Sequence, residues 1–386
     1  MTFKLLEKMV DKKRQHYVPR FYLKNFSTNS EGKSIGVYNV DRYKFIPRGS
    51  LKEQAYKNYF YGEDDEIEDS LSTIESIAAS AIKNILAKRT MPEKLTSEYY
   101  SLLAFTALQW ARTPYAADEA KEIIEKSLES TVERDKSYKI VLDEFKSRLE
   151  NAPLYLLRNV PKLIPCISDL NIILLINQTN IPFITSDNPV VLYNQFLEKR
   201  REYYCNTSFE SKGLQIFFPL SPELCLIFFD KDVYRFSNAL NRTIKLAKQQ
   251  DLNALNQLQC INSYTNIYFN ENVSNDYITY IFRKVKKWRR DSKFRHIESP
   301  PRKGPDGGIR ILQVNHKNDI KINLYLSFIS IKKSARGFKI GDKALIVRNE
   351  QLFKQREYLT ALERTQYQPT RIGDFIVDYN GIRKIK

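Results

Sequence analysis

Glycine is scarce in this 386-residue chain, at 12 residues, and histidine scarcer still, at three. Few glycines leave few positions free to take positive φ, which favours regular elements over loops. The four cysteines, Cys166, Cys205, Cys225 and Cys260, lie far apart and form no CxxC pair. Structural zinc needs clustered thiolates or imidazoles, so a zinc ribbon is excluded. No apolar run is long enough to span a bilayer; the stretch from Leu170 to Ile176 falls far short. The opening segment MTFKLLEKMVDKKRQ lacks the apolar core of a signal peptide. These absences lead to the expectation of a cytoplasmic protein, without a transmembrane segment, whose thiols are reduced core residues. Phosphate-loop, GxGxxG, HExxH, GxSxG and kinase signatures are all missing, so no nucleotide cofactor motif is present and the corresponding hydrolase and kinase readings fail.

What is present begins with an apolar share of 42% and 12% aromatic residues, ample for a core and incompatible with general disorder. The length suggests two or three units. The net charge of +17 is unevenly placed. Residues 281–386 hold 26 Lys and Arg against 10 Asp and Glu, whereas residues 1–280 hold 36 against 35. Such a split points to a local anionic partner, with nucleic acid (DNA or RNA) ahead of an anionic membrane surface or a merely solvated face.

Apolar periodicity predicts an α+β chain. Ile67, Leu71, Ile74, Ala78, Ala81 and Ile85 recur at three- and four-residue spacing and place a helix over 64–88. A second helix is expected from Ser97 to Arg112, ending before Pro114. The charged stretch 115–150 reads as one long helix or two shorter ones. After Pro165 the pattern changes to β-branched and aromatic runs at 171–176, 182–185, 214–218 and 225–229, the kind that suits strands covered on both faces. Helices are expected at 240–260 and 275–290, a linker at Ser299–Gly308, and a hairpin of 309–314 with 320–331. The domain reading is therefore a core at 1–298 (helical 51–165, mixed β/α 166–298), a linker at 299–308 and a small basic C-terminal domain at 309–386.

The segment Gln15-His16-Tyr17-Val18-Pro19-Arg20-Phe21-Tyr22-Leu23-Lys24-Asn25-Phe26 resembles the opening signature of a bacterial family, domain of unknown function 4238. An acidic helix carrying Glu75, the block Gln109-Trp110-Ala111-Arg112-Thr113-Pro114, Phe183-Ile184-Thr185-Ser186-Asp187-Asn188-Pro189 and Phe218-Pro219-Leu220-Ser221-Pro222 follow in the expected order. The resemblance covers roughly residues 12–270. It implies no established activity; members are similar to proteins of mobile and defence-associated gene neighbourhoods, which implies an antiphage or toxin-like setting and a protein partner in a defence operon.

Four residues are candidates for chemistry. His16 sits in an aromatic, proline-stiffened segment, where an imidazole could act as acid, base or metal ligand, or simply pack and make one structural hydrogen bond. Asp187, between an apolar run and Asn188-Pro189, could present oxygen to a hard cation, magnesium or manganese, or could serve a turn. Arg112 shares a helix face with Gln109 and could clamp a phosphate, or pair with Glu75. Glu75 could join Asp187 as a metal-binding carboxylate. For nucleic-acid binding the candidates are Lys284, Lys286, Lys287, Trp288, Arg289 and Arg290, extended by Lys332, Lys333 and Arg336; Trp288 could stack on an unpaired base or complete an apolar line with Ile281 and Val285. The resulting expectation is a nucleic-acid-targeting effector, a metal-dependent nuclease with His16, Glu75, Arg112 and Asp187 at its site. The alternative is a non-catalytic nucleic-acid-binding or sensor module.

Overall fold

The structure is a computed structural model. It describes residues 13–62, 65–148, 151–198, 207–237, 239–289, 295–298, 302–303, 309–310, 313–316, 322–338, 347–352, 354–358, 370–372, 375–378 and 381–384.

The fold is α+β. The N-terminal part supplies β1 (Arg14–His16), β2 (Ser34–Asn39), β3 (Lys44–Ser50) and β4 (Tyr56–Asn58). A helical module follows: α1 (Asp65–Lys88), α2 (Ser97–Ala111), α3 (Pro114–Arg134), α4 (Lys139–Arg148) and α5 (Ala152–Ser168). The α2–α3 corner is written in its residues. Thr113 caps α3 by accepting from the Ala116 amide at 3.2 Å, and Pro114 takes the first helical position, where its missing N–H costs nothing. Arg112 is left at the break between the two helices. The charged stretch 115–150 resolves into two helices, α3 and α4.

Beyond α5 lie β5 (Asn171–Asn177), β6 (Thr185–Ser186), β7 (Val191–Tyr193), β8 (Gln215–Pro219), β9 (Leu224–Phe229), β10 (Tyr234–Phe236) and β11 (Thr243–Leu246). Then come α6 (Gln249–Asn262), β12 (Asn266–Phe269) and α7 (Asn275–Val285). Five strands pair in the order β11-β5-β9-β8-β7, and β3-β2-β12-β6 form a second sheet. The five-stranded sheet is apolar on both faces. Along β9, Leu224, Leu226 and Phe228 enter a core shared with α1 and α2, while Cys225, Ile227 and Phe229 enter a core shared with α6 and α7. Strand periodicity of two explains how one unbroken apolar run serves both cores.

Three expectations are revised. Residues 243–246 form strand β11, parallel to β5, instead of the start of a helix. Ile244 and Leu246 are buried and Lys245 between them is exposed, the alternation of a strand. The segment expected as a run of strand over 182–185 pairs only at Thr185–Ser186. The hairpin also lies elsewhere: β13 (Arg295–Glu298) pairs with β16 (Gln313–His316), and β14 (Arg302–Lys303), inside the stretch that reads as a linker, pairs with β15 (Ile309–Arg310). Ile329–Ile331, β17, pairs instead with β10. Leu324, Leu326, Phe328 and Ile329 are buried in the second core, shelter that a free-standing hairpin could not offer them. Ser327 donates from its amide and hydroxyl to Asp251, at 2.7 and 2.6 Å.

No helix among the described residues is long and apolar enough to cross a membrane. Cys166, Cys225 and Cys260 are free and buried, and Cys205 lies outside the described residues. A chain ending at residue 298 would lose β17 and uncover the second core. At about 1.5–3 kcal/mol per buried large apolar side chain, the loss is on the order of 5 kcal/mol or more, read as a lower urea midpoint against the full chain.

Candidate functional site

Polar side chains are buried where the signature segments meet. Gln15 accepts from the Tyr61 amide at 2.6 Å and donates to the Gly62 carbonyl at 2.9 Å. Gln109 reaches from α2 to the Tyr17 carbonyl, 3.0 Å away. Arg112, 2% exposed, gives Nη1 to Glu75 at 2.7 Å, Nη2 to the His16 carbonyl at 2.5 Å and Nε to the Tyr61 hydroxyl at 3.2 Å. Burial acts to lower the Arg112 pKa, but Tyr61 and Glu75 outweigh it and hold the guanidinium charged, above its ordinary value. All three guanidinium nitrogens thus donate within the protein. The phosphate-clamp reading gives way to the structural one, with Glu75 as the ion-pair partner.

His16 is half-buried. Its ring lies 5.7 Å from that of Tyr56, and Nε2 is 3.3 Å from the Lys52 carbonyl. Burial lowers its pKa below the usual 6.5, and Arg20 and Arg112 act in the same direction.

Asp187 is fully buried at the end of β6. Oδ1 accepts from the Tyr264 amide at 2.7 Å, and Oδ2 accepts from Thr265 and Asn266 at 2.7 and 2.8 Å. Burial pushes the carboxyl up to about 6, against the pull of those three amides and of Arg289. The expected local turn is partly present, since the Asn188 amide donates to Ser186 Oγ at 3.2 Å, yet the aspartate itself serves a distant loop. Its neighbours are wired to α6: Ser186 donates to Gln259 at 3.0 Å, and the Asn262 amide group donates to the Asn188 carbonyl at 2.6 Å. Gln259 and Asn262 escaped the sequence reading. The signal available was a row of amides at three-residue spacing, Asn256, Gln259 and Asn262, on one side of the helix LNALNQLQCIN.

Arg112 therefore brings Glu75 and the His16 backbone together. Asp187 shares no hydrogen bond with those three; it joins the same interior through Asn188, whose Oδ1 lies 3.4 Å from Thr113 Oγ1. These residues do not fit a magnesium or manganese ion. Asp187 is sealed among amide donors, Glu75 faces a guanidinium, and no group of three His, Cys, Asp or Glu side chains suited to a metal occurs among the described residues.

The basic candidates separate into two kinds. Ile281 and Val285 of α7 are buried, but the chain tightens into a 3-10 turn at Lys286–Trp288, and Trp288 is turned outward, 41% exposed, instead of completing the apolar line. Arg283, Lys284, Lys286 and Lys287 are exposed, and no carboxylate pairs with them among the described residues. Lys284 Nζ lies 4.3 Å from the Tyr280 ring centroid, Lys286 4.6 Å from that of Tyr43, and Lys287 4.9 Å from that of Trp288. Arg289 behaves differently. It donates to the Ser263 and Tyr264 carbonyls at 3.2 and 2.8 Å, lies over Phe282, and comes within 3.9 Å of Asp41. It anchors the end of α6. Arg290 lies outside the described residues. Lys332, Lys333 and Arg336 surround a short helical turn held by buried Ala335, after which Phe338 meets Phe196. Arg348, another C-terminal cation, is held by both oxygens of Asp169 at 2.8 Å and by three carbonyls.

Fold and site together define an α+β protein with a two-faced central sheet, whose signature segments close into one buried polar network and whose α7 presents an exposed face of cations and rings. It belongs to the family of proteins of unknown function DUF4238, whose model matches residues 14–272. No curated protein and no solved structure matches the chain.

Arg112→Ala strands Glu75 and two other acceptors and is expected to cost about 3–5 kcal/mol, measured by urea unfolding; Arg112→Lys should recover little, lacking the fork. Asp187→Ala leaves three amides without their acceptor and should lower stability by roughly 3 kcal/mol or more. Because the folded pKa of His16 is depressed, its contribution to stability is present above pH 6.5 and is lost as pH falls through the folded value. Unfolding of a His16→Gln variant should therefore show a weaker dependence on pH between 5 and 7 than the parent; equal slopes would refute that role.

Proposed function

We propose that the chain is a non-catalytic nucleic-acid-binding module whose contact surface is the face formed by α7 and the 3-10 turn after it. One observation carries this reading: Arg283, Lys284, Lys286 and Lys287 are exposed on consecutive turns without an acidic partner among the described residues, beside three exposed rings. Cations left unneutralised by their own protein are available to phosphates, and releasing the counterions around a polyanion drives their association. Ordinary solvated helices more often interleave acids with bases. The groove along this face, lined by Asn275, Asp276, Thr279, Tyr280, Arg283 and Lys284, has its single acid at the N-terminal end, so phosphates are directed towards the C-terminal end.

The nuclease alternative needs carboxylates free to hold a cation, and the engagement of Asp187 and Glu75 speaks against it. DNA and RNA incubated with magnesium or manganese are expected to stay intact. The defence or mobile-element setting implied by family resemblance belongs to the proposal as context: a module that senses nucleic acid, or brings a protein partner to it.

Fluorescence anisotropy with labelled DNA and RNA tests the surface directly. Affinity should fall steeply with salt, and the Lys284→Ala/Lys286→Ala/Lys287→Ala variant should flatten the slope of log K against log salt by about 2, at roughly 0.7 per phosphate contact on a single strand. An unchanged slope, or no binding at low salt, would remove the proposal.

A further inference from the structure

We infer that the α7 face takes unpaired bases, so that its ligand is single-stranded rather than duplex nucleic acid; this rests on the nucleic-acid reading above. Phosphate contacts alone would require only lysines and arginines. This face also carries three large rings that the fold does not bury: Tyr43 is 50% exposed, Tyr280 53% and Trp288 41%. Tyr280, Lys284 and Lys287 follow one another at four and three residues along one side of the helix and its 3-10 extension, and Thr279, Arg283 and Lys286 do so on the adjacent side. Tyr43 joins from the turn between β2 and β3, edge-on to Phe282 at 6.0 Å and 65°, with Lys286 over its ring. Each of the three rings thus has a lysine of this segment over it.

A duplex offers such a surface only its phosphates, because its base faces are stacked on one another. The rings would stay in water and add nothing. A single strand presents both parts at once: phosphates to Arg283, Lys284, Lys286 and Lys287, and free base faces to Tyr43, Tyr280 and Trp288. Each lysine now lying over a ring is held there only weakly at an exposed site, and can shift to the phosphate that a stacking base brings with it. Asp276, at the N-terminal end of the groove, keeps the backbone on the cationic side and leaves the groove by Thr279 and Tyr280 for a base.

The test compares three probes on the full chain at one salt concentration: oligothymidylate of about 16 nucleotides, the matching oligothymidylate–oligodeoxyadenylate duplex, and heparin, a polyanion without bases. Oligothymidylate should bind about tenfold or more tightly than the duplex and quench Trp288 fluorescence. Trp288→Ala should weaken oligothymidylate about tenfold and leave heparin unchanged, and Trp288→Phe should restore most of the loss. Equal binding of all three probes, or a Trp288→Ala loss that is the same for heparin, overturns the single-strand inference while the polyanion surface stands. Failure of every probe to bind removes the surface, and this inference with it.

Discussion

The Arg112 guanidinium is a full charge placed where water cannot reach it, and the arrangement around it follows from that placement. A buried cation is tolerable only when it is paired and hydrogen-bonded, and here each of the three nitrogens donates, to Glu75, to the Tyr61 hydroxyl and to the His16 carbonyl. Each acceptor comes from a different segment, so satisfying one side chain fixes β1, the loop after β4 and α1 against the α2–α3 corner. Thr113, the next residue, extends the same corner to Asn188 and hence to the loop that Asp187 organises. The signature blocks look like a catalytic set because they combine His, Arg, Glu and Asp. Their geometry is that of a keystone.

The cations of the C-terminal third are of two sorts, and burial separates them. Arg289 and Arg348 spend their planar forks on backbone carbonyls and carboxylates, as partly desolvated guanidinium groups do. Lys284, Lys286 and Lys287 lie over exposed rings and pair with no carboxylate among the described residues. Net charge alone therefore overstates the surface free for a polyanion. Among the described residues, the exposed cations of α7 and its 3-10 turn lie beside exposed rings.

Much of the architecture was legible in the residues. The apolar stripe at 64–88, the stop before Pro114 and the unbroken apolar runs of β5 and β9 all arise from local periodicity, which the chain carries without help from distant segments. Local pattern failed where pairing partners are remote. Thr243–Leu246 could be read as the lead-in to a helix because nothing nearby announces β5 as its neighbour. Sequence proximity alone would pair Ile329–Ile331 with the strand before it, but it pairs with β10, and Ile329 is buried in the second core.

The α+β class, the family blocks and the position of the basic helix were readable from residues alone, because each is a matter of composition or short-range spacing. The roles of the polar residues were decided only by the tertiary structure. Whether Asp187 holds a metal or three amides, whether Arg112 faces a phosphate or Glu75, and whether Trp288 lies inside or outside depend on which groups, tens to hundreds of residues away, arrive beside them. Hydrogen bonding and burial are properties of that meeting, and neither is encoded in spacing along the chain.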